Sequence, residues 1–234
     1  AYKAPRGPDG LQPDLNGVWQ VLNTANYNIE AHPASAAMQL RPGPNVPVPA
    51  AEVVALGAIG AVPAGIGIVQ GDGKIPYTAD ALKLRDENRA KAIENDPEVK
   101  CYLPGIPRAN YMDKPFQIFH SDKAVFFAYE YAGAVRNVFL EDPGEAPVDS
   151  WMGQSFGKWD GDTFVIEVTG LLPDTWLDRS GNHHGSLETG SMTKVVERWT
   201  PTSDYTMRYE AEITDENVYT RPWKIAFNLY KRVG

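Results

Sequence analysis

The chain is nearly without cysteine: Cys101 is alone among 234 residues. That excludes an intrachain disulfide and a cysteine zinc site. A solitary cysteine is ordinarily a small buried hydrophobe, and Cys101 is expected to be one rather than a catalytic thiol. Clusters of Lys and Arg are also missing, and the formal net charge is −8 with a pI of about 5.0. No nucleic acid or anionic membrane is therefore expected as a partner. A neutral or cationic small molecule suits that balance better. No transmembrane span is present. The most apolar stretch, Val53 to Val69, is broken by Gly57, Gly60, Pro63, Gly65 and Gly67, which leaves it too glycine-rich for a stable helix. Nucleotide-binding signatures such as G-x-G-x-x-G and G-x-x-x-x-G-K-[ST] are absent. Ser155 in Gly153-Gln154-Ser155-Phe156-Gly157 mimics a serine elbow only loosely, because it lies in a strand-like run. No cofactor is expected. Internal repeats and low-complexity tracts are missing too. The opening Ala1-Tyr2-Lys3-Ala4-Pro5 reads as the ragged start of a mature, processed protein, its signal peptide removed, or of a trimmed chain.

What remains is rich in hydrophobic residues, at 43%, enough to build a sizeable core. Composition divides the chain near residue 115, within a single domain over 1–234. Residues 1–13 form an extended, proline-rich lead. Asn16 to Leu22 reads as a first strand. Residues 30–76 read as a long Pro/Gly/Ala-rich loop, or one short helix around Ala50 to Leu56. Thr78 to Asn95 is a surface helix, with Thr78 as N-cap, Asp80 in the first turn and Pro97 as the stop.

After residue 115 the period changes to two. Strands are expected at Phe116–His120, Ala124–Tyr131, Val135–Leu140, Met152–Trp159, Thr163–Thr169, Met192–Thr200, Tyr205–Ile213 and Trp223–Arg232. Asp160-Gly161-Asp162 and Pro201-Thr202-Ser203-Asp204 supply turn chemistry. With the first strand this makes about nine. Short connections argue for a meander, and closure removes its edges. The expected fold is all-β, mainly antiparallel. It is a calycin- or lipocalin-like barrel over 115–234, wrapped by an irregular N-terminal third with one or two helices.

Alternation assigns faces. Val125, Phe127, Tyr129 and Tyr131 share one face of their strand; Phe126, Ala128 and Glu130 share the other. Arg136 lies with Val138 and Leu140, and Glu197 with Val195 and Trp199. Charges embedded among apolar positions fit a pocket lined by a few placed polar groups. The plainer alternative pairs Glu130 with Arg136 across their hairpin.

The segment richest in chemistry is Asp174 to Ser186, which holds His183, His184, Asp174 and Asp178 between two strands. Three readings are open. His184 acts as a general acid/base oriented by Asp178, with Glu197 as a second acid/base or a charge partner. Alternatively, His183, His184 and Asp178 bind a metal, although no H-x-H or H-E-x-x-H spacing occurs. In the third reading the histidines are ordinary loop residues. His120 is expected to serve a turn.

The chain resembles a large group of uncharacterised exported proteins of proteobacteria and acidobacteria. Their PDLxGVW strand is matched at Pro13 to Trp19. The DPxxxCxPxGxPR segment is matched from Asp96 through Cys101, Gly105, Pro107 and Arg108, with Pro104 one position past the pattern's proline. PFxI is matched at Pro115 to Ile118, WMGxSxGxWxGDTxV at Trp151 to Val165, and TWLDxxGxxHS at Thr175 to His184. The closing ER and YTxPW are matched at Glu197-Arg198 and Tyr219 to Trp223. Gly185 stands where Ser is expected, extra residues follow through Met192, and the apolar loop at 45–70 is long. The resemblance implies a periplasmic or secreted protein and no particular reaction.

The leading expectation is therefore a cofactor-independent acid–base enzyme, a lyase, isomerase or cyclase, acting on an apolar or aromatic small molecule inside the barrel. His184, Asp178 and Glu197 would be catalytic. Arg136, Tyr129 and Glu130 would orient the substrate or stabilise charge, and Trp176, Met152, Phe127 and Tyr111 would line the pocket. The alternatives are a non-catalytic carrier of an apolar ligand and a metal-dependent hydrolase. A homo-oligomer is open.

Overall fold

The computed structural model describes residues 2–7, 10–36, 61–185 and 192–233. The expected helix at 50–56, most of the 45–70 loop and the insertion at 186–191 lie outside the described residues. The strands are β1 Gly17–Val21, β2 Ser35–Ala36, β3 Ala61–Val62, β4 Phe116–His120, β5 Val125–Tyr129, β6 Val135–Phe139, β7 Gln154–Asp160, β8 Thr163–Thr169, β9 Lys194–Ser203, β10 Thr206–Thr214 and β11 Trp223–Lys231. The helices are α1 Ala79–Ala90 and α2 Ala92–Asn95. Thr78 caps α1, its Oγ1 accepting from the Ala81 amide at 3.3 Å.

Nine strands close into a barrel in the order β1-β11-β10-β9-β8-β7-β6-β5-β4, while β2 and β3 pair separately. From β4 to β11 the barrel is the expected meander, and β1 closes it between β11 and β4. Eight of its nine joints are antiparallel; β6 and β7 run parallel, in the register Val138↔Ser155 and Phe139↔Phe156. Parity requires this. Directions cannot alternate around a ring with an odd number of strands, so at least one joint must be parallel. Nine strands and strict antiparallel pairing exclude each other. The connection from 140 to 153 supplies the crossover that a parallel neighbour needs.

The inner face follows the alternation. Val125, Phe127 and Tyr129 point inward on β5, Arg136 and Val138 on β6, and Val195, Glu197 and Trp199 on β9, all buried. Glu130 follows β5 directly and is exposed. It does not pair with Arg136. Gly157 lies on the inner face of β7, where a Cβ would meet the Phe164 ring at 2.5 Å and Val138 at 2.6 Å. His120 is buried, its ring 5.6 Å from that of Trp159, rather than serving a turn.

Described parts of the N-terminal third pack on the barrel. The 68–70 segment bonds along β11, with Ala226 donating to Ile68 at 3.0 Å and Gln70 to Lys224 at 2.8 Å. Cys101 contradicts expectation: it is exposed, with φ of 61° at the end of the turn from Pro97. No helix among the described residues is long and apolar enough to cross a membrane.

Candidate functional site: a buried polar network, a folded loop and an outer groove

Inside the barrel, Glu197 is the hub. One carboxylate oxygen accepts from the Asn110 amide at 2.7 Å and from the Tyr209 hydroxyl at 2.8 Å. The other accepts from Nη2 of Arg136. Tyr129 donates to Oδ1 of Asn110 at 2.8 Å, and Nε of Arg136 donates to Ser155 at 2.8 Å. All six residues are buried. Such a pair is held by mutual compensation: each charge would be costly alone in a low-dielectric interior. Burial pushes the Tyr129 and Tyr209 hydroxyls above their ordinary pKa, Glu197 adding to the effect in both and Arg136 opposing it. These phenols stay protonated and donate.

The rest of the interior is aromatic. Trp199 packs against Phe127 at 5.2 Å and Tyr209 at 4.8 Å, and Tyr209 packs against Phe227 at 4.7 Å. Nη1 of Arg136 and Nε1 of Trp199 are buried and have no hydrogen-bond partner among the described residues.

A 3-10 turn at Arg108–Tyr111 brings Asn110 into the network. The same segment ties the barrel to the 174–185 loop. Tyr111 donates to the Leu177 carbonyl at 2.7 Å, and Nε2 of His184 meets the Ile106 carbonyl at 2.9 Å. Arg108 is fork-bonded to Asp96 at 2.8 and 3.0 Å and reaches Glu98 at 2.7 Å. Glu98 in turn holds Arg179, whose guanidinium lies 4.7 Å over the Tyr27 ring.

The loop is a small hairpin. Trp176 pairs with His183, and Leu177 donates to the Asn182 carbonyl at 2.7 Å. At its tip Asp178 accepts from the amides of Ile29 at 2.9 Å and Ser180 at 2.8 Å and from the Asn182 side chain at 2.7 Å. Burial nevertheless raises its pKa to about 6, against the lowering effect of those bonds and of Arg108. Gly181, at φ +84°, lets α1 sit on the tip: a Cβ there would lie 2.6 Å from the Arg89 nitrogen and 2.7 Å from the Arg85 carbonyl.

His184 is wholly buried. A carbonyl only accepts, so the proton resides on Nε2, and Nδ1 has no partner among the described residues. Burial pushes its pKa down to about 4, the Ile106 carbonyl opposing and His183 assisting. His183 faces two carbonyls, Gly185 at 2.8 Å and Ala81 at 3.1 Å, and stacks on Tyr77 at 5.3 Å. Burial lowers its pKa as well, against those two carbonyls.

The expected acid/base trio is thus divided. Asp178 hydrogen-bonds to loop amides and Asn182, not to His184; His184 is bound to Ile106; Glu197 sits in the barrel with Arg136 and Tyr129. Phe127 and Met152 are core residues, Tyr111 is a strut, and Glu130 lies on the outside. Asp178 does not orient His184: its oxygens accept from Ile29, Ser180 and Asn182, and the His184 ring is bonded to the Ile106 carbonyl. Among the described residues, no group of three His, Cys, Asp or Glu could hold a metal ion.

A groove of about 680 Å³ lies outside the barrel, between α1 and the 174–185 loop. Leu84, Trp176 and His183 contribute to its walls, with Tyr102 and Trp151 beside them and Asp80 and Asp174 bringing carboxylates. Tyr102 and Trp151 stack at 5.2 Å with their planes 24° apart. Of these, only Trp176 was expected as a pocket residue and only His183 and Asp174 as loop chemistry. Tyr102 and Trp151 carry a weaker signal: large aromatics in loops rich in Pro and Gly. Comparison of the chain with family models, curated proteins and solved structures finds no match.

Proposed function

We propose that the protein binds a small molecule in the groove between α1 and the 174–185 loop, with the barrel as its rigid support. The observation that carries this reading is the groove itself. Its volume of about 680 Å³ falls within the range of roughly 300–1,000 Å³ typical of ligand sites, and its walls combine aromatic rings with a few polar groups, as such sites do. The ring-to-ring contacts inside the barrel favour this groove over a lipocalin-like interior cavity. Periplasmic or secreted placement, and kinship with the exported bacterial proteins, belong to the same proposal.

The test is mass spectrometry of molecules that co-purify with the protein. Leu84→Trp, which fills the groove, is expected to lower ligand occupancy at least tenfold, while Phe119→Ala, exposed on β4 and not part of the groove wall, leaves it unchanged. Equal occupancy in all three proteins would sink the reading.

A second reading makes the protein an acid–base lyase or isomerase acting on the same ligand. The observation behind it is Nδ1 of His184, buried, without a hydrogen-bond partner among the described residues, and one residue on from His183 in the groove wall. Conversion of the co-purified molecule by the wild type but not by His184→Gln supports catalysis. Unaltered ligand with both proteins leaves binding alone.

A further inference from the structure

The groove's charge and its aromatic wall together restrict what it can hold. Five charged side chains among the described residues line it. Lys83 and Glu87 neutralise one another, 3.9 Å apart on successive turns of α1. That leaves Asp80 and Asp174 against Lys100, all three exposed. Neither carboxylate makes an ion pair or hydrogen bond with another described residue, so both are available to a ligand. The surplus is negative, and the −8 charge of the chain reinforces it, because a cleft focuses the field of the whole molecule.

The second observation is independent of charge. Tyr102 is half exposed, at 49%, and stacks on Trp151 at the groove wall. Aromatic faces are electron-rich and attract a cation placed above them, more strongly when it is desolvated. An apolar body would cover the same rings and Trp176. An anion would meet two carboxylates and the negative ring faces, with Lys100 alone to receive it.

Resting on the groove reading above, we infer that the ligand is a small organic cation: an amine or quaternary ammonium group carried on an apolar or aromatic body. Asp80 and Asp174 supply the counter-charge, and Tyr102 and Trp151 supply the surface on which the body lies.

The experiment titrates the intact protein with 2-phenylethylamine, 2-phenylethanol and 3-phenylpropionate, read by calorimetry and by tryptophan fluorescence at low and moderate salt. The amine is expected to bind about tenfold more tightly than the alcohol, the propionate not at all. Added salt narrows the gap between amine and alcohol. Asp80→Asn with Asp174→Asn is expected to erase that gap while leaving the alcohol's affinity unchanged. Trp151→Ala should weaken both. Equal binding of amine and alcohol to the wild type overturns the cation inference and leaves the groove reading standing. Binding of all probes undisturbed by Leu84→Trp overturns the groove reading itself. Absence of any binding overturns the cation inference, and ligand occupancy in Leu84→Trp then decides the groove separately.

Discussion

At the scale of single residues, His184 and Asp178 are displaced in opposite directions, and the signs can be followed. The His184 pKa falls from 6.5 to about 4 on folding. Below pH 6.5 the unfolded chain takes up a proton that the folded chain refuses, so stability is lost as pH falls from 6.5 towards 4. The Asp178 pKa rises from 3.8 to about 6. Below pH 6 the folded chain takes up a proton that the unfolded chain does not, so stability is gained as pH falls from 6 towards 3.8. Around pH 5 each state carries one proton on the pair, and the two slopes cancel. We therefore expect Asp178→Asn to lose stability relative to wild type between pH 6 and 4, and His184→Gln to gain it between pH 6.5 and 4. Each swing is on the order of 3 kcal/mol at full extent. Urea unfolding at half-unit pH steps measures this; three parallel curves would refute the assignment. The sequence made both residues conspicuous, since a histidine and a carboxylate six positions apart in a polar loop invite pairing. It could not reveal that Asp178 would find its donors on Ile29, Ser180 and Asn182. Ile29 lies far away in the chain, and no local pattern points to it.

At the scale of elements, periodicity reached furthest where a strand has one wet face. The two-residue alternation placed Glu197 with Trp199 and Arg136 with Val138, and it put Glu130 on the opposite face from Tyr129. It could equally have marked Tyr209, which shares its face of β10 with Met207 and Ala211. Asn110 was illegible, because a short 3-10 turn has no extended period to read. The joint between α1 and the hairpin tip was also hidden, although Gly181 records it. An alanine there must adopt φ near +84° and push against two backbone atoms of α1, neither of which can rotate away. Gly181→Ala is therefore expected to destabilise the protein by about 2–4 kcal/mol. It should also raise amide exchange in α1 before exchange in β8 to β10. Uniform exchange across helix and barrel would show that the joint has no separate role.

At the scale of the whole molecule, closure depends on β1, a strand of five residues far in sequence from both of its neighbours. Without it β4 and β11 become open edges with unpaired backbone groups, which invite pairing with other chains. A chain lacking residues 2–22 is expected to form soluble oligomers or aggregates, visible by light scattering; a monomer with unchanged thermal unfolding would contradict this. The first-strand motif was plain in the sequence, but its place in the ring was not, since register between distant strands leaves no local trace. That place also fixes how the molecule meets force. β1 and β11 are antiparallel, with Trp19 opposite Lys231 and Val21 opposite Leu229, and the Arg232 amide bonds the Val18 carbonyl. The strand leading in and the strand leading out therefore meet at the same end of their shared ladder. A pull applied through residues 16 and 233 loads that seam one rung at a time, as a zip is opened, instead of shearing all rungs together. The barrel is chemically closed but mechanically soft along this one line.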